Sequence, residues 1–141
     1  MTTKRENILA AIRTALTDTT GVGTRIYRTR VDPVARLECP AIIVQPIRDT
    51  CVQTTSLPKL DWTMTIRVTV IERGDIPDQA ADDTVESLHS KVMADLTLGG
   101  YAHDVRPVRT EFEFMEADKA LGLISCEYEI RYRTDVDDLT Q

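Results

Sequence analysis

A chain of 141 residues with 42% hydrophobic content is long enough for one ordinary core and falls within the size of one domain. Seventeen basic against 23 acidic residues give a formal net charge of -6, which excludes the basic surplus that sequence-independent DNA binding needs. Three scattered cysteines, Cys39, Cys51 and Cys126, form no CxxC pair and no zinc set with the two histidines.

The polar start from Met1 to Asn7 carries no apolar leader, so reduced thiols and a cytosolic site of synthesis are expected. Ile8, Leu9, Ile12, Ala15 and Leu16 recur at steps of three and four, which predicts an amphipathic helix from Lys4 to Leu16, ended by the run Thr17 to Gly21. The segment Thr24–Arg30 alternates loosely and reads as a strand. After a turn at Asp32-Pro33, the apolar run from Pro40 to Ile47 reads as another, and its flanking prolines favour an edge or strand ends. Its apolar core, Ala41 to Val44, is far too short to cross a bilayer, so no membrane partner is expected. Asp49 to Lys59 is polar and reads as a hairpin arm or loop, with Val52 and Leu57 as its large apolar residues, free to serve a partner.

From Leu60 to Arg73 the alternation is strict. Trp62, Met64, Ile66, Val68 and Val70 share one face, opposed by Asp61, Thr63, Thr65, Arg67 and Thr69, which predicts a central strand. Asp75 before Ile76-Pro77 is a helix-start signal, Ala81, Val85, Leu88, Val92 and Leu96 mark a buried stripe, and Gly99-Gly100 ends the helix. Two strands follow, Thr110–Glu116 and Leu123–Arg133, separated by a turn at Ala117 to Gly122. The last strand puts Ile124, Cys126, Tyr128, Ile130 and Tyr132 on one face and Glu127, Glu129, Arg131 and Arg133 on the other. Residues 134–141 read as a short, flexible acidic tail. The order implies an α+β domain spanning residues 1–141, with a mixed, mostly antiparallel sheet and two helices packed on one face.

No catalytic, cofactor or metal signature emerges. Neither His89 nor His103 sits in an HExxH pattern, GVG at Gly21 to Gly23 lacks the remainder of any phosphate loop, and no GxSxG occurs. Asp75, Asp78, Asp82 and Asp83 suit a helix start, while Glu111, Glu113 and Glu116 alternate with Phe112 and Phe114 as a solvated face does. The feature left over is a sheet face of mixed charge carrying Arg67, Glu127, Glu129, Arg131 and Arg133. A wet face explains it; so does a subunit contact or the wall of a channel.

In its order of elements the sequence resembles the tail terminator family of long-tailed phages. The resemblance is carried by the helix KRENILAAIRTAL, the strand PAIIVQPI, the strand LDWTMTIRVTVIERG leading into an aspartate- and alanine-rich helix, and the closing pair TEFEFMEADKALGLISCEYEIRYRTD. It implies a non-enzymatic structural virion protein without a cofactor, built in the host cytoplasm and placed at the head-proximal end of the tail. It further implies a homohexameric ring that caps the tube, stops its polymerisation and offers a surface for head joining. The partners implied are other copies of itself, the tail tube protein, a head-tail connector or neck protein, and DNA only in transit. Two alternatives stand beside it: a head-completion or neck protein of the same α+β layout, and a small cytosolic enzyme or ligand-binding domain with catalytic groups on turns.

Overall fold

The computed structural model describes residues 2–29, 39–53, 58–116 and 120–141. The expected turn at Asp32-Pro33, the end of the first strand at Arg30, Leu57, and Ala117 to Lys119 lie outside the described residues. Helix α1 spans Lys4–Ala15, strand β1 Ile26–Arg28, β2 Ala41–Val52, β3 Lys59–Arg73, helix α2 Pro77–Val92, β4 Asp104–Met115 and β5 Leu121–Asp135.

Thr3 caps α1, its hydroxyl accepting from the Glu6 amide at 3.2 Å, and Ile8, Leu9, Ile12 and Leu16 are buried as the stripe predicts. The described strands form one sheet in the order β1-β2-β3-β5-β4, parallel between β1 and β2 and antiparallel elsewhere. Helix α2 packs on β3 and β5, and α1 on β2 and α2, so both helices cover one face. That is the α+β arrangement expected. Met64, Ile66, Val68 and Val70 of β3 meet Ile124, Cys126, Tyr128 and Ile130 of β5 beneath the helices, giving the main core.

Several element limits differ from expectation. β1 is confined to Ile26–Arg28, and β2 continues past Ile47 to Val52, because its far half pairs with Asp61 to Thr65 across the hairpin. β2 is bordered on both sides at Ile42 to Val44, so among the described residues it is an edge only beyond that. Pro46 is accommodated there, at a register shift between Pro46 and Arg48. The cap of α2 is Ile76 with no side-chain cap bond, not Asp75, and the helix stops at Val92. Leu96 is therefore exposed, and buried Leu98 takes the place expected of it, in a turn held by Asp95. β4 begins at Asp104 rather than Thr110, its early residues hidden from periodicity by a shift between Pro107 and Arg109. Thr134 and Asp135 complete β5. The last residues then fold back, with Leu139 accepting from the Lys4 amide at 2.9 Å.

Candidate functional site

The sheet face turned away from the helices gathers the charged residues into rows. β3 register sets Arg67 opposite Glu127, Thr65 opposite Glu129, Thr63 opposite Arg131 and Asp61 opposite Arg133; Val52 of β2 adjoins Asp61. Arg67, Glu127, Glu129, Arg131, Arg133 and Val52 thus share one face. Leu57 lies outside the described residues.

Glu127 is the centre of this face. Its side chain is only 8% exposed and sits between Arg67 Nη2 at 3.2 Å and Arg109 Nε at 3.8 Å. Arg106 Nε donates to Glu129 at 3.0 Å and Arg133 Nε to Asp61 at 2.7 Å. Burying a carboxylate is unfavourable without partners, so the pairing with arginine from both flanking strands is what makes Glu127 tenable. Arg106, Arg109 and Arg48 belong to this face and were not legible as members of it. Arg48 and Arg109 each follow a proline and a register shift, and Arg106 directly precedes one at Pro107; the shift reverses the side-chain phase and breaks the alternation by which a face is read.

Along the strands the same face changes character. Thr69 and Ser125 hydroxyls meet at 3.2 Å beyond Arg67, and past them Ala41 and Ile71 are buried among Tyr27, Cys39, Ile43, Leu121 and Leu123. One end is apolar and the other charged.

The helix side holds a groove of about 420 Å³ between α2 and β4, lined by Val85, His89, Pro107, Thr110, Cys126 and Tyr128. His89 is on the surface as expected, yet its Nδ1 lies 3.0 Å from the Tyr128 hydroxyl and the rings stack. Burial, then proximity to Cys126, pushes the Tyr128 hydroxyl up, and burial raises the Cys126 thiol, which keeps it protonated and a poor nucleophile. His103 is exposed, and its backbone amide donates to the Arg131 carbonyl at 2.7 Å. Cys51 is exposed beside Trp62 across the hairpin. Among the described residues no group of three or more His, Cys, Asp or Glu is placed to hold a metal ion.

No model of a known protein family matches the sequence, and no curated protein matches it. Among solved structures the chain is similar to one from the virion of a native gene transfer agent particle, with a TM-score of 0.66 and 17% sequence identity over 89% of this chain and 94% of that one. At that identity the likeness is one of fold.

Proposed function

We propose that this protein is a structural component of a phage-like virion, a ring that caps the tail tube, stops its polymerisation and offers the tail-side surface for head joining. The observation that carries the reading is the likeness of fold, over nearly the whole of both chains, to a protein of the gene transfer agent virion. The resemblance of element order to tail terminators narrows it to the tail. No catalytic step belongs to this role.

The charged face supplies the physical fit, as the wall past which DNA moves. Its carboxylates already occupy Arg67, Arg109, Arg106 and Arg133, so a passing phosphate backbone meets a surface of balanced charge. Such a surface lets DNA slide without gripping it, unlike a field of one sign. The partners are other copies of the chain, the tail tube protein and a connector or neck protein.

The test is electron microscopy of particles from an infection or prophage induction in which this gene carries an early stop codon. Headless tubes of uncontrolled length are expected. Tails of normal length beside filled, detached heads would move the protein to the neck, and intact infectious particles would sink the virion reading.

A further inference from the structure

The sheet ends in two unlike edges. β4 forms one, and from Arg106 onward its residues are exposed on both faces. Soluble proteins usually blunt an edge strand with proline, lysine or a bulge. β4 has such a device only in its first half, where Pro107 lacks an amide proton and the register shifts before Arg109. From Thr110 to Met115 the pairing with β5 runs unbroken without proline or lysine, while Phe112 and Phe114 stay 59% and 54% exposed. By register both phenylalanines stand on the helix side of the sheet and Glu111 and Glu113 on the other.

A strand covering this edge must therefore bring apolar or small groups to one face and a cation to the other. A second β4 does not qualify. Antiparallel pairing centred on Phe112 or Glu113 sets Glu111 opposite Glu113, or Glu113 opposite itself, and like charges directly opposite destabilise a ladder.

The other edge of the same sheet brings the cation, and on the helix side it sets Pro46 and Cys51 beside Asp49, whose carboxylate Arg5 and Tyr132 already hold. β1 borders β2 only at Ile42 to Val44, so among the described residues the outer side of Gln45 to Val52 is open, interrupted near its start by Pro46 and a register shift and in unbroken register from Arg48 to Val52. It carries Arg48, which makes no ion pair among the described residues and shares the face of Glu111 and Glu113. Each step from β2 through β3 and β5 to β4 is antiparallel, so β4 runs opposite to β2. A neighbour rotated about an axis along the strands then offers its β2 antiparallel to β4, with matching faces.

The geometry points to a sheet continued between copies, in which Thr110 to Met115 of β4 pairs with Gln45 to Val52 of β2 in the next copy and Arg48 meets Glu111 or Glu113. Two different patches are in contact, so the arrangement is heterologous and closes by rotation. It rests on the ring reading and supplies its subunit contact.

The test is a charge exchange followed by sedimentation velocity, over a concentration series in which the wild-type chain is run alongside. Arg48→Glu alone sets carboxylate against carboxylate, and Glu111→Arg/Glu113→Arg alone sets arginine against arginine. Each, folded by its thermal melt, is expected to sediment as a monomer where the wild type is an oligomer. An equimolar mixture of the two is expected to regain the wild-type sedimentation coefficient, because every contact in an alternating ring is again between opposite charges. Variants that assemble like the wild type, or a mixture that stays monomeric, would overturn the edge pairing and leave the ring reading standing. A wild-type chain that remains monomeric throughout overturns it as a self-contact, and the stop-codon particles then decide the virion reading on their own.

Discussion

Glu127 shows what one residue must have around it to sit in a sheet face. With Arg67 about one-third exposed and Arg109 more so, solvent screens part of the interaction, and Glu127→Ala is expected to lower the unfolding free energy by about 1–2 kcal/mol in a urea titration, below the cost of breaking a fully buried pair. On the helix side, Asp49 accepts from the Tyr132 hydroxyl and from Arg5 Nε at 3.0 Å, while its other oxygen has no partner among the described residues. Tyr132→Phe leaves this carboxylate with Arg5 alone, and a loss of about 1–2 kcal/mol is expected in the same titration. Phe112 is the opposite case. Largely in water, it contributes little to the isolated fold, and Phe112→Ser is expected to change stability by less than about 0.5 kcal/mol.

At the scale of elements, the strands with unbroken alternation were legible to within a few residues, because β3 and β5 are free of proline and pair without interruption along their length. β2 and β4 were misjudged in extent, and for one reason. A bulge beside Pro46 and another beside Pro107 each reverse the phase of the side chains, so the two halves of each strand read as different objects in sequence. The charged face was accordingly seen as a product of β3 and β5, without the arginines of its outer strands. Helix α2 was legible in its first four turns but run on past Val92 to Gly99-Gly100 and capped on the wrong residue, since a carboxylate at Asp75 looks like a cap whether or not its geometry lets it reach the first amides.

Two element contacts can be tested. A Cβ at Gly122 would lie 2.6 Å from Pro77 Cβ, so Gly122→Ala must displace the start of α2 from β5, and a loss of about 1–3 kcal/mol is expected by denaturant unfolding. In the turn after α2, the Gly99 amide and then the hydroxyl and amide of Thr97 hold the Asp95 carboxyl below its usual range. A folded value lower than the unfolded one means stability that is present above the unfolded value and is lost as pH falls through the folded one. Asp95→Ala is therefore expected to melt below wild type at neutral pH, with the gap closing as pH drops below about 3.8 in a pH series of thermal melts.

For the whole molecule, a ring joined through Arg48 and the β4 glutamates has exposed charges at its contacts, and these are screened within about 10 Å at 0.1 M salt. Assembly is expected to weaken as salt rises from low to high concentration, and a sedimentation profile indifferent to salt would count against charge at the joint. The exposed aromatics beside those charges respond to salt in the other direction, so the Phe112→Ser chain is expected to show the steeper salt dependence of the two.

The gradient along the helix-free face, apolar around Ile71 and Leu123 and charged around Asp61 and Arg133, acquires a meaning in such a ring. Every copy would stand with its strands pointing the same way, so the assembly would have one greasy rim and one ionic rim. Two such rings could not stack face to face as equals, and a tube that accepts one rim would refuse the other. Polarity of the particle's long axis would then be written into the order of residues along β3 and β5, with no separate signal needed to tell top from bottom.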